Sequence, residues 1–173
     1  MEKHIKTAAV SDAPLIAALA DEIWKEHYFP MSGEAYVLHL LKTLQSEEII
    51  AADIASGKAI YYLLYLDNAV AGYCAVNLEE NSVCLSKLYV KKAYRQLGLS
   101  RMMLDYIKEH FASKNYIHLI VNKKNAGSIA AYQALGFSIT GEVVIDAGNG
   151  FYMYDYVMKL MINDECSENS NHP

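Results

Sequence analysis

The sequence predicts a mixed α/β domain on a mostly antiparallel sheet of about seven strands. Three observations carry this. Apolar residues recur at helical spacing through residues 15–56 and at strand spacing through 59–90. The segment from Val83 to Val121 is a strand–helix–strand crossover, which returns parallel to its partner. Two apolar runs separated by Asp146-Ala147-Gly148-Asn149-Gly150 then close the chain as a hairpin. The expected order is β-ααα-βββ-α-β-α-ββ.

His4 to Val10 reads as the first strand, and Ser11-Asp12-Ala13-Pro14 supplies N-cap and first-turn chemistry for a helix. Leu15, Ile16, Leu19 and Ile23 share one face of that helix as far as Lys25, and Glu26 to Met31 reads as an aromatic loop. Ser32 is placed to cap a second helix carrying Tyr36, Val37, Leu40, Leu41 and Leu44; a third runs from Glu47 to Ser56 and stops at Gly57. Ala59–Leu66, Ala69–Leu78 and Val83–Val90 form a meander with turns at Asp67-Asn68 and Glu80-Asn81. A helix with Leu99, Met102, Met103, Tyr106, Ile107 and His110 inward precedes the buried strand Tyr116–Val121. Asn125–Leu135 reads as a helix ending at the C′ glycine Gly136, followed by strands Phe137–Ile145 and Phe151–Leu160. The expected organisation is one domain over residues 1–162 and a polar, disordered tail over 163–173.

Composition narrows the function. The 173 residues are 53% hydrophobic and 20% charged, with formal net charge −5. That is a globular balance, long enough for a core and wrong in sign for nucleic acid as the main partner. No apolar run reaches membrane-spanning length, and the amino terminus has no signal-peptide core. Cys74, Cys84 and Cys166 suggest neither a disulfide framework nor a metal site, and His27 and His39 have no ligand spacing. A reduced, cytoplasmic protein without metal, monomeric or homodimeric, is expected. Fourteen tyrosines against four phenylalanines fit half-buried strands or a tyrosine-lined pocket.

One stretch breaks the acidic balance. Lys87, Lys91, Lys92, Arg95 and Arg101 surround Arg95-Gln96-Leu97-Gly98-Leu99-Ser100, and no acidic residue lies between Lys87 and Asp105. A β-prone run enters this basic turn and a helix leaves it, so unpaired N–H groups and a positive dipole end face the turn. That is a seat for a polyanion, most simply a pyrophosphate. The turn resembles the Arg/Gln-x-x-Gly-x-Gly/Ala signature of the GNAT superfamily of acetyl-CoA-dependent N-acetyltransferases, with Ser100 where Gly or Ala is usual. Asn122 to Phe137, with Tyr132 and Gly136-Phe137, resembles that family's second block. The likeness spans roughly residues 3 to 161.

The resemblance implies the acyl-CoA N-acyltransferase fold, in which the central parallel strands splay and the cofactor lies between them. It implies acetyl-CoA as co-substrate. The backbone of Gln96, Leu97, Gly98, Leu99 and Ser100, with Arg95 and Arg101, would hold the pyrophosphate. Leu88, Tyr89 and Val90 would pair with the pantetheine arm by strand addition. Asn122, Asn125 and Ser128 would touch the arm, although Asn125 also reads as a helix cap. A bulge in the fourth strand would aim an N–H at the thioester carbonyl. Tyr132 would protonate the departing thiolate: a phenol of pKa ~10 can serve a thiol of ~8.5 at hydrogen-bond distance.

The base is harder to find. An alkylamine of pKa ~10.4 is neutral in about one part in a few thousand at pH 7, a deficit of about 4 kcal/mol. Relatives place a glutamate early in the fourth strand, where this chain has Cys84 and Ser86. Glu26, Glu79, Asp146 and Asp155 are the remaining carboxylates, alongside a water relay. Glu26, Tyr28, Glu79 and Asp146 are expected at the acceptor mouth, with Glu80 and Asp155 adding to the acidic character of that side. The layout is most similar to bacterial polyamine and small-amine acetyltransferases, so a small-molecule amine is the expected acceptor. A peptide amine and a catalytically weak CoA-binding regulator are the alternatives.

Overall fold

The strands Lys3–Thr7 (β1), Ile60–Leu66 (β2), Ala69–Leu78 (β3), Ser82–Val90 (β4), Tyr116–Asn122 (β5), Ser138–Gly148 (β6) and Phe151–Met161 (β7) form one sheet in the order β1-β2-β3-β4-β5-β7-β6. Among the described residues only β4 and β5 run parallel. The structure, a computed structural model, describes residues 1–163, so the expected tail beyond residue 163 lies outside the described residues.

In the described residues five α-helices cover the two faces: Ala13–Ser32 (α1), Glu34–Leu44 (α2), Glu47–Ser56 (α3), Leu99–His110 (α4) and Ala126–Ala134 (α5). Strand alternation sorts the core into two layers. Tyr61, Leu63, Tyr73 and Ala75 point at Ile16, Ile23, Trp24, Leu40 and Ile50 of α1–α3. Tyr62, Leu64, Val83, Leu85, Ile117 and Leu119 point at Leu99, Met103 and Ile107 of α4. Among the described residues no helix is long and apolar enough to cross a membrane.

Two irregularities in β4 shape the centre of the sheet. Ala75 faces Lys87 and Val76 faces Leu85, so Ser86 is an extra residue in the β3–β4 ladder. Its hydroxyl donates to the Ala75 carbonyl at 3.1 Å. This is the expected bulge. On its other side β4 pairs with β5 through only three rungs, Ser82–Tyr116, Val83–Ile117 and Cys84–His118. Beyond them the strands separate. Gly72 holds the β3–β4 side close: a Cβ there would lie 2.2 Å from the Tyr89 carbonyl oxygen.

Four boundaries differ from expectation. β1 stops at Thr7, and Val10–Asp12 is a 3-10 turn. The aromatic loop expected over Glu26–Met31 is helical, because α1 continues through Pro30 to Ser32. Pro30 sits in the last turn, where the proline removes little of the hydrogen-bond ladder. Gly33, at φ 83°, ends α1 and stands at the N-cap of α2 in place of Ser32. The closing hairpin is longer than expected, and its turn tightens to Asn149-Gly150.

Candidate active site

A cavity of about 810 Å³ occupies the opening between the separated halves of β4 and β5. Leu85 to Val90 form one wall and Ile120, Val121 and Asn122 the other, and residues of α1, α2, α4 and α5 complete the lining. Parallel strands, helix N-termini and a crevice at the strands' carboxyl ends give the usual ligand position of α/β sheets.

At one end lies the basic turn. Gln96 and Gly98 both adopt positive φ, 62° and 79°. Gly98 is the N-cap of α4 and has no side chain to cap it, so the first-turn N–H groups remain open to a ligand. Arg95, Gln96, Gly98, Leu99, Ser100 and Arg101 line the cavity. Arg95 also braces the turn, its Nε donating to the Val90 carbonyl at 3.0 Å. Two members of the basic collar are engaged elsewhere: Lys91 pairs with Glu22 at 3.0 Å and Lys92 approaches Glu26 at 3.8 Å. What the turn offers the cavity is therefore mainly backbone and arginine.

In the middle, Leu88, Tyr89, Val90, Asn122, Asn125, Ser128 and Tyr132 line the walls. Asn125 caps α5, its Oδ1 accepting from the Ser128 N–H at 3.1 Å. His27 and Tyr28 line the cavity with it. Asn122 Oδ1 accepts from the Lys124 N–H at 2.9 Å. The Tyr132 ring packs edge-on against Phe137, 5.5 Å between centroids. Burial, then the neighbouring Tyr28 and Cys74, pushes its phenol above the ordinary value, so it carries its proton at neutral pH.

At the other end, Tyr28, Tyr36 and Tyr89 meet Met153 and Asp155 of β7. Burial raises the phenols of Tyr28, Tyr36 and Tyr89 as well. Trp24 lies behind Tyr89 at 5.3 Å. The β6–β7 hairpin is held over this end by α2: His39 Nε2 lies 2.6 Å from the Ala147 carbonyl oxygen, and Tyr36 packs on Phe151 at 5.4 Å. Asp155 is 5% exposed, and its Oδ1 has no hydrogen-bond partner. Burial raises its carboxyl above the ordinary value. His27, also in the wall, is held below its ordinary value by burial and then by Arg95.

Four expected site residues stand off the cavity wall. Leu97 packs against the α4-side core. Glu26 faces Lys92. Glu79 lies at the far end of β3, where it accepts from Ser82 and meets His118 at 3.0 Å. Asp146 turns its Oδ1 back to the Gly148 N–H at 2.8 Å, within its own hairpin. Of the four carboxylates considered as the base, only Asp155 lines the cavity. Strand alternation is the signal that singles it out, since Phe151, Met153 and Asp155 share one face of β7. Sequence reasoning overlooked Trp24 and Tyr36 as wall residues and gave His27 no role there.

Residues 17–137 match the model of the acetyltransferase (GNAT) family. The chain is similar to the spermidine N(1)-acetyltransferase of Thermoplasma acidophilum, 21% identical over 145 residues that cover 80% of this chain and 90% of that protein. It is similar to the β-lysine N(6)-acetyltransferase of Methanococcus maripaludis, 24% identical over 82% of this chain and 48% of that protein. The PaiA N-acetyltransferase of Thermoplasma acidophilum, solved in complex with coenzyme A, shares the fold with a TM-score of 0.79 and 18% identity, over 93% of this chain and 99% of that one.

Proposed function

This chain belongs to the acetyltransferase (GNAT) family, as an N-acetyltransferase with acetyl-CoA as co-substrate, and we propose that its acceptor is a small primary amine with further positive charge, of the polyamine class. One observation carries this reading: a buried carboxylate oxygen of Asp155 without a partner, in a tyrosine-rich cavity wall. A buried unpaired carboxylate is unfavourable unless a cation arrives to meet it. The relative that acetylates spermidine points the same way.

In this reading the pyrophosphate sits on the Gln96–Ser100 turn and the N-terminus of α4. The pantetheine arm runs along Leu88–Val90, and the thioester reaches the bulge at Ser86. An ammonium of the acceptor enters past Tyr28 and Tyr36 and pairs with Asp155, which takes its proton. The neutral amine then attacks the thioester carbon, forming the N–C bond and an oxyanion that a backbone N–H freed at the bulge receives. The C–S bond breaks as the oxyanion collapses. The departing thiolate takes the Tyr132 phenolic proton, and solvent restores it. The other amine proton passes to solvent as the amide forms, and Asp155 gives up its proton to solvent before the next cycle.

The test is a thiol-release assay with acetyl-CoA across polyamines, amino acids, aminoglycosides and peptides. Polyamines are expected to turn over fastest, with an apparent affinity that weakens as salt rises. Turnover confined to peptide amino termini would move the acceptor to a protein.

A further inference from the structure

Among the described residues, one group of metal-ligating side chains converges away from the cavity. Glu79, Cys84 and His118 offer ligand atoms that all lie within 4.8 Å of one another. They come from three places: the end of β3, the first half of β4, and β5. Cys84 and His118 form the last rung of the parallel ladder, so the pleat turns both side chains to the same face. Glu79 reaches over from the preceding turn, its Oε2 3.0 Å from His118 Nε2.

The surroundings fix this group in place. Ser82 donates to the Glu79 carboxylate. Lys114 Nζ donates to the carbonyls of Glu79 and Glu80 at 2.7 and 3.0 Å, which anchors the turn. The bonds from Ser82 and His118 hold the Glu79 carboxyl below its ordinary value, so it is ionised at neutral pH. The Cys84 thiol is raised by burial and then by Glu79, so it keeps its proton until something displaces it.

We propose that Glu79, Cys84 and His118 form a binding site for a divalent cation of the zinc class, independent of the acetyl-transfer cavity. Thiolate, imidazole and carboxylate together select a borderline-soft ion and disfavour magnesium and calcium. Three protein ligands and one water make a common zinc arrangement. Ligands about 2.0–2.3 Å from a tetrahedral zinc lie roughly 3.3–3.8 Å apart, so the side chains close on the ion by small rotations. Binding exchanges the thiol proton for the metal: Zn²⁺ and Cys84–SH give Cys84–S–Zn⁺ and H⁺, with His118 binding through a ring nitrogen and Glu79 through one oxygen. The site would tie β4 to β5 at the rung where they part, fixing the apex of the cleft. An ordinary His118–Glu79 ion pair beside a thiol leaves the sulfur uninvolved, and that difference decides the matter.

The experiment is a cobalt(II) titration of the full-length protein after chelator treatment, read by absorption, followed by zinc competition. One equivalent of Co²⁺ is expected to give four-coordinate ligand-field bands and a thiolate-to-cobalt charge-transfer band, both erased by Zn²⁺. Cys84→Ser should abolish the charge-transfer band and weaken binding more than about a hundredfold; Ser82→Ala should weaken it about tenfold to a hundredfold through the carboxylate it orients. His118→Gln gives a second route to the same loss if Cys84→Ser fails to fold, and Cys166→Ser should bind like the parent. A parent protein with no saturable charge-transfer band, or a band that survives in either folded ligand variant, overturns the proposal. Acetyl-CoA binding, measured in parallel, separates this outcome from any failure of the cavity reading.

Discussion

The indole Nε1 of Trp24 donates to the hydroxyl of Tyr73 at 3.1 Å, and that hydroxyl donates onward to Gln45 Oε1 at 2.8 Å. Tyr73 is fully buried and Gln45 is 2% exposed. The relay fastens α1 to β3 and to the end of α2 beneath the aromatic wall of the cavity. Tyr73→Phe keeps the ring but leaves a buried indole N–H and an amide oxygen unpartnered, at about 1–3 kcal/mol each. Together that is about 2–6 kcal/mol, so thermal unfolding should shift down by roughly 4–24 °C. An unchanged midpoint would show that water replaces the hydroxyl.

Tyr132→Phe removes one proton and leaves the ring against Phe137. Turnover is expected to fall about 10²-fold or more, while acetyl-CoA affinity stays near the parental value. Steady-state kinetics with a polyamine, paired with calorimetric cofactor binding, checks both halves. A parental rate would make Tyr132 a packing residue.

Asp155→Asn should act in opposite directions on function and stability. The Asp155 carboxyl is raised in the fold, so the folded state holds its proton more tightly than the unfolded chain. Folding stability from this group therefore falls as pH rises from the unfolded value of ~3.9 to the raised folded value, and stays reduced above it. The amide that replaces it does not ionise. The variant should unfold at or above the parent's temperature at pH 7, and that advantage should vanish below about pH 4. Its KM for a polyamine should rise about tenfold or more with cofactor binding intact. A variant less stable at pH 7 yet equally active would remove Asp155 from the acceptor site.

Gly98→Ala tests the anion seat. The new methyl meets only the flexible end of Lys3, at 3.3 Å, so crowding is minor. Its backbone at φ 79° is the obstacle, costing an L-residue about 1–2 kcal/mol. Relaxation of the turn misaligns the α4 N–H groups, and acetyl-CoA affinity should drop about tenfold. Calorimetry on the folded variant reads it, and unchanged affinity would relocate the pyrophosphate.

The strand-to-helix turn and the α5 cap that line one part of the cavity were legible because their signals are local. A glycine between a strand and a helix, a capping Asn125 and a cluster of basic residues are all neighbours in sequence. The acceptor half was not, because packing decides it. Pro30 and the aromatic run Tyr28-Phe29 read as a loop, yet burial of Tyr28 against Trp24 and Tyr89 carries α1 through the proline. Glu79 and Asp146 were expected at the acceptor by charge and order along the chain. Short-range partners, Ser82 and Gly148, hold them elsewhere. Charge alone could not rank Asp155 above them. Alternation with Phe151 and Met153 sets its face of β7, but its pairing with Asn122 and Val143 across two strands is what brings that face to the cavity.

The early parting of β4 and β5 leaves the sheet with two internal edges. Each strand keeps its outer neighbour, β3 or β7, but past Cys84 and His118 neither has a ladder partner on the inner side. Exposed edges elsewhere invite another chain; these are walled in by helices and open only to something the width of an extended arm. With that gap empty, the amides of the inner edges should exchange with solvent faster than those of the outer ladders. Once it is filled, the unfolding equilibrium carries the binding free energy as well, about 2.7 kcal/mol at a hundred times the dissociation constant. The persistence of the folded protein thus rises and falls with the supply of whatever fills the gap.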